Sequence, residues 1–272
     1  MYNKNRKEQV KNLWDTGLGA TEISKFLNIS ISNVSTYLTQ SLGSGRKGRF
    51  IYKRRIFTLN ESFFENIDTE AKAYFLGLLA ADGNLSSSQN SVRIGLHEKD
   101  KEILECFREN LNYTKPLKFV KKVKEPGWNR SDQYLLEISS TIFRKSLEKH
   151  GLTPNKSLTL VFPTTIPLEY QHDYIRGYFD GNGCIHIDKR DHGSIIIASS
   201  EMFSKSLIEV LQTFGIRSST SKHYKANCFY TRSFGYDNVE NFYNFMYKDS
   251  TIFLDRKKQI FENWINKRNK KL

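Results

Sequence analysis

The chain has 272 residues, 38% hydrophobic and 13% aromatic, which is enough to bury a sizeable core and too many core formers for a disordered chain. Its 42 Lys and Arg against 29 Asp and Glu give a formal charge of +13, while three scattered cysteines (Cys106, Cys184, Cys228) argue against a zinc ribbon and a disulfide scaffold. With no signal core and no apolar run near the roughly 18 residues of a membrane span, a soluble, reduced, intracellular (cytoplasmic) protein with no membrane contact is expected.

The charge is uneven. Residues 1–60 hold 11 basic and 3 acidic side chains and residues 256–272 hold 7 and 1, so the body between them is nearly neutral. Two basic ends suggest a polyanion held at both, although solvated tails have the same composition. Helical spacing runs from Arg6 to Leu38 in three pieces. Val10, Leu13 and Trp14 share a face, Ile23, Phe26 and Leu27 follow Gly17-Leu18-Gly19, and Val34, Tyr37 and Leu38 follow Asn28-Ile29-Ser30. Ser30 or Ser32 suits the third N-cap. The phrase GATEISKFLNISISNVSTYL resembles the helix-turn-helix of resolvase-like and sigma-like DNA binders. That resemblance implies a domain over 1–42, with a mini-core of Ile23, Leu27 and Val34. Ser32, Asn33, Ser35 and Thr36 would then face the major groove. A plain three-helix cap is the other reading. Residues 43–58 form a glycine-rich basic linker. In it Arg46, Lys47, Arg49, Lys53, Arg54 and Arg55 are suited to lie along phosphates.

A repeat then appears at a spacing of about one hundred, AYFLGLLAADG at 73–83 and DYIRGYFDGNG at 173–183. Each reads as an apolar helix stopped by glycine, Gly83 or Gly183. Each sets small residues four apart, Gly77 with Ala81 and Gly177 with Gly181, which allows two backbones to approach closely. Two such helices side by side would bring together their orphan carbonyls, their negative dipole ends and Asp82, an arrangement that attracts a divalent cation. After each motif comes a hairpin, a helix, a second hairpin and a helix. Val92, Ile94 and Leu96 alternate after the turn at 86–90, and a helix opens at Asp100 as a plausible N-cap. KPLKFVKKVK (115–124) and DQYLLEIS (132–139) form the next hairpin, and a helix ends at His150-Gly151. The second copy repeats this with strands near 184–188, 194–198, 217–225 and 228–235 and helices from Ser200 and over 237–247. The expected fold is therefore α+β over 59–272, two pseudo-symmetric αββαββα halves near 66–160 and 166–268.

The two segments FLGLLAADG (75–83) and IRGYFDGNG (175–183) resemble paired LAGLIDADG motifs of homing endonucleases and of maturases derived from them, with similar elements from about 57 to 268. The resemblance implies a monomer that hydrolyses phosphodiesters of a long duplex DNA target with Mg²⁺ or Mn²⁺. It assigns a metal-ligating carboxylate to Asp82 with the Ala81 carbonyl, and puts Asn182 with the Gly181 carbonyl in the second copy. Asn182 departs from the acidic pattern, and Asp180, about 200° around the helix, does not replace it. A tolerant double-strand cutter, a nickase and a binder without cleavage all remain open, and an introduced Asp-to-Asn change would leave the same letter. A regulator or an RNA-splicing maturase is the alternative function, with RNA as its partner in the second case.

The family also places a basic residue after each half. Lys156 lies 74 residues after Asp82 and Lys257 lies 75 after Asn182, with Lys258 as neighbour. The sheets of the resembled enzymes form a saddle in the major groove. That implies DNA contacts from Arg93, His97, Lys118, Lys122 and Lys124 in the first half. In the second half the candidates are His186, Asp188, Arg190, Lys222, His223, Lys225 and Arg232. The histidines give no zinc pattern; His186 sits just beyond the second motif.

Overall fold

The computed structural model describes residues 4–15, 18–42, 57–121 and 131–270. The chain divides into two compact units, Met1–Phe57 and Thr58–Leu272.

The first unit has three helices, α1 (Lys4–Asp15), α2 (Ala20–Leu27) and α3 (Ile31–Leu42). Ile23 and Val34 are fully buried as their spacing predicts, joined by Val10 and Leu38, with Leu27 at the margin. Glu22 accepts from the Gly19 amide at 2.7 Å and so satisfies one orphan donor at the start of α2. Asn28 turns the chain in the left-handed region (φ 50°), and Ser30 Oγ accepts from Asn33 N at 3.2 Å to start α3.

The second unit is built on α4 (Glu70–Asp82) and α7 (Gln171–Asn182). Residues 73–80 and 173–180 are buried on every side, as befits two helices enclosed by their own domain. Glycine is what lets them touch. A Cβ on Gly77 would overlap the Tyr174 carbonyl, and one on Gly177 would overlap the Tyr74 carbonyl. The reciprocal contact marks the local twofold. Gly83 and Gly183 do end the helices, but in extended backbone (φ −70° and −96°), because a strand begins there directly. They are glycine for space: a Cβ would strike Leu79 O in one case and the Phe179 ring in the other.

In the first half β1 (Gly83–Leu85), β2 (Ser91–His97), β3 (Lys118–Val120) and β4 (Gln133–Ser139) form an antiparallel sheet in the order β1-β2-β4-β3. It is backed by α5 (Lys101–Asn110) and α6 (Thr141–Lys149). In the second, β5 (Gly183–Ile187), β6 (Gly193–Ser199), β7 (Ser219–Lys222) and β8 (Phe229–Phe234) take the order β5-β6-β8-β7 with α8 (Glu201–Thr213) and α9 (Tyr236–Tyr247). Each half is αββαββα. Val92, Ile94 and Leu96 face inward with Leu136 and Ile138, and Ile185, Ile195 and Ile197 do so opposite.

A further helix, α10 (Asp255–Asn269), follows. The basic end of the chain is thus an ordered element and not a solvated tail. Phe261 and Trp264 are buried, Lys267 pairs with Asp191 at 2.6 Å, and Arg268 with Glu240 at 3.4 Å. Asp100 holds the N-cap position of α5. Its side chain caps nothing; it receives the Arg256 guanidinium through two 2.9 Å bonds from α10. No helix among the described residues is long and apolar enough to cross a membrane.

Candidate metal and nucleic-acid site

The C-terminal ends of α4 and α7 meet at Gly181. A Cβ there would clash with Ala81 and come within 3.0 Å of Asp82 Oδ2, so the missing side chain makes room for this carboxylate at the junction. Asp82 is solvent-accessible, yet the surrounding protein desolvates it and raises its pKa against the opposing pull of Lys257, Lys156 and Arg256.

Both lysines singled out by their offsets are buried beside the helix ends. Lys156 Nζ donates to the Gly83 carbonyl. Lys257 Nζ donates at 2.7 Å to each of the Phe179, Asp180 and Gly183 carbonyls. They satisfy carbonyls that a helix C-terminus orphans and oppose its negative dipole end. Burial lowers both ammonium pKa values, that of Lys257 to about 8 even with Asp180 and Asp82 nearby. Lys258 sits over the Phe253 ring at 3.9 Å instead.

Asn182 donates through Nδ2 to the Tyr178 hydroxyl at 3.3 Å. Asp180 is engaged elsewhere: Oδ2 accepts from Tyr74 OH at 2.7 Å and from Leu254 N at 2.8 Å, and burial lifts its pKa to about 6. Along α7 runs a network that sequence reasoning missed. Arg176, fully buried, donates to Glu70 (2.6 Å), to the Met246 carbonyl (2.6 Å) and to the Ile252 carbonyl (2.8 Å), and pairs with Asp173 at 2.8 Å. Glu70 also accepts from Thr251 and Ile252, so α4 anchors the segment leading to Lys257. Arg256 was missed too. Its only local signal is the basic run in which it precedes Lys257.

The oxygens that the resemblance puts forward for a metal are the Asp82 carboxylate, the Asn182 amide and the main-chain carbonyls of Ala81 and Gly181. No group of three His, Cys, Asp or Glu that could hold an ion occurs among the described residues. A donor set of oxygens with one carboxylate fits a hard ion that keeps several waters and takes phosphate oxygens, as Mg²⁺ does, and not zinc.

The outward sheet faces hold most of the remaining candidates. Arg93 and His97 alternate outward on β2; Arg93 pairs with Glu137 at 2.5 Å, and His97 Nδ1 accepts from Lys99 N. Lys118 is exposed on β3, while Lys122 and Lys124 lie outside the described residues. His186 is exposed on β5, in register with Ser194 and Phe234. Asp188 instead shapes the turn: Oδ1 accepts at 2.8 Å from Arg190 N and from His192 N. Lys222 is exposed at the β7 edge, His223 Nδ1 accepts from Lys225 N and Ala226 N, and Lys225 lies over Tyr224. Arg232 packs on Tyr230 and donates to Ser221 Oγ. On α3, Ser32, Asn33 and Ser35 are exposed, and Thr36 donates to the Ser32 carbonyl at 3.0 Å. Arg46, Lys47, Arg49, Lys53, Arg54 and Arg55 lie outside the described residues.

A family model described as "LAGLIDADG-like domain" matches residues 69–151 and 169–246. An uncharacterized protein of Methanocaldococcus jannaschii is 25% identical over 153 residues, 54% of this chain and 53% of that protein. The reverse gyrase of the same organism is 26% identical over 192 residues, 68% of this chain and 9% of that protein. The chain therefore spans about half the length of the first relative and a small part of the second. Among solved structures, the homing endonuclease I-WcaI bound to its DNA recognition sequence shares the fold. Its TM-score is 0.52 at 12% identity, covering 73% of this chain and 90% of that one.

Proposed function

We propose that this chain, which belongs to the LAGLIDADG-like domain family, is a site-specific DNA endonuclease of homing type that hydrolyses one strand of a long duplex faster than the other. The observation that supports this most is the junction of α4 and α7. There one carboxylate, Asp82, stands beside Gly181 among Lys156, Lys257 and Arg256. A solved structure of similar fold is that of a homing endonuclease on its recognition sequence.

In this reading Asp82, the Ala81 and Gly181 carbonyls and the Asn182 amide oxygen hold Mg²⁺ or Mn²⁺. When bound, the ion would supply an activated water and charge stabilisation at the scissile phosphate. Lys156 and Lys257 fix the helix ends that present these groups and add positive charge next to the phosphate. The outward faces of both sheets lie along the major groove, while α3 with Ser32, Asn33 and Ser35 reads a flanking segment. The chain acts as a monomer, because it contains both motif helices.

The test is a duplex recovered from a random pool by the protein, incubated with Mg²⁺ and either wild type or Asp82→Asn. Cleavage by the wild type and its loss, with affinity retained, is the expected result. Tight binding with no cleavage of either strand by the wild type would make the chain a DNA-binding regulator. Deleting residues 1–45 is expected to shorten the footprint; an unchanged footprint would reduce the three-helix unit to a structural cap.

A further inference from the structure

Asn182 departs from its counterpart together with a second residue one helical turn earlier. In α4 the pair is Leu78 and Asp82, and in α7 it is Tyr178 and Asn182. Tyr178 is buried, and its ring is held by stacking on Phe203 with centroids 4.2 Å apart. Its hydroxyl has one proton. The Ala198 carbonyl, 3.1 Å away, is able only to accept, so that proton is committed to it. Asn182 Nδ2 at 3.3 Å must then be donating to the remaining lone pair of the hydroxyl. This direction fixes the amide: nitrogen on Tyr178, oxygen away from it.

A carboxylate in place of Asn182 has no proton to offer. It would meet a lone pair, or force the tyrosine proton to abandon Ala198. The cleft beside Asn182, about 220 Å³, agrees with this. Ala80, Ala81, Ser157, Leu160, Ala198 and Cys228 are among the residues that line it, and none of its lining side chains is charged.

We infer that Tyr178 is a positioning residue that holds Asn182 as a neutral, oxygen-outward group, so that the two form a coupled pair and the second centre is built without a carboxylate. Only its consequence for strand choice rests on the endonuclease reading. The asparagine is matched to its surroundings, and changing it alone should not restore a second acidic centre.

The test is a double-mutant cycle of Asn182→Asp and Tyr178→Phe, the phenylalanine keeping the stack on Phe203, with Tyr178→Leu as a second variant that copies Leu78. In metal-free thermal unfolding at neutral pH, Asn182→Asp should lower Tm by about 3 °C or more beside Tyr178 and markedly less beside either replacement. By calorimetry, Mn²⁺ should bind the double variant at least about tenfold more tightly than the Asn182→Asp single variant, a factor equal to about 1.4 kcal/mol. On a strand-labelled duplex the slower strand should be cut at least about tenfold faster by the double variant than by that single one. Additive Tm changes, or a single variant that matches the double one in Mn²⁺ affinity, would overturn the inference. Coupled Tm and Mn²⁺ effects with no cleavage of either strand would sustain the pairing and defeat the endonuclease reading.

Discussion

Lys257 and Lys156 stand at matched places yet do unequal amounts of work. Lys257 supplies donors to three main-chain carbonyls and Lys156 to one. Because an unsatisfied buried polar group costs about 1–3 kcal/mol, Lys257→Met should destabilise the domain by about 3 kcal/mol or more and Lys156→Met by less, measured in urea. The equal offsets of the two lysines were legible in the sequence. Their carbonyl partners were not, because a main-chain acceptor leaves no letter. His150 offers a separate test. Its Nε2 donates to the Phe64 carbonyl at 2.8 Å, its Nδ1 accepts from Thr165 OH at 2.7 Å, and burial lowers its pKa below the ordinary histidine value near 6.5. As pH falls, the unfolded chain takes up the proton first. The stability from this group is complete above pH 6.5 and is lost as pH drops through that value towards the depressed folded pKa. The urea midpoint should fall between pH 7 and 5, and His150→Gln should fall less over that interval. Parallel curves for the two proteins would contradict this.

At the scale of elements, the fold turns on two helices whose backbones touch. A methyl group on Gly77 or Gly177 would occupy the place of the opposite helix's carbonyl oxygen, so the pair must separate or the domain unfold. Gly77→Ala and Gly177→Ala should each destabilise the domain by about 3 kcal/mol or more, in line with overpacking of a filled interior. Gly95→Ala, whose new methyl would lie 3.5 Å from its nearest neighbour, should fall within about 1 kcal/mol of wild type. These contacts were legible because small residues four apart identify a close helix crossing, and the order of strands and helices was legible because the pattern occurs twice. The last helix, α10, was not. Its buried Phe261 and Trp264 sit among many charges, and the partners of those charges, Asp100, Asp191 and Glu240, lie far away in the sequence. Asp100 does stand at the N-cap position of α5, but its carboxylate is turned to Arg256, which arrives from 156 residues away and leaves no local signal.

For the whole molecule, the charge of +13 divides differently from its appearance in the sequence. Much of the basic C-terminal end is committed to internal ion pairs, which leaves the sheet faces, α3 and the stretch before Phe57 as candidates for a polyanion. The halves are pseudo-symmetric in fold but not in bracing. Arg176 and Glu70 tie α4 to the segment before Lys257, whereas Leu76 and Tyr170 stand at the corresponding places of the other copy. Arg176→Met removes one partner of a buried network and should cost about 3–5 kcal/mol in urea unfolding. That asymmetry matches the two centres themselves, one with Asp82 and one with Asn182. The most direct test of it is the time course of a supercoiled plasmid bearing the selected target in Mg²⁺. The account predicts that nicked circles accumulate before linear product and that all cutting disappears in Asp82→Asn. Linear product formed without a nicked phase, or cutting that survives Asp82→Asn, would contradict it.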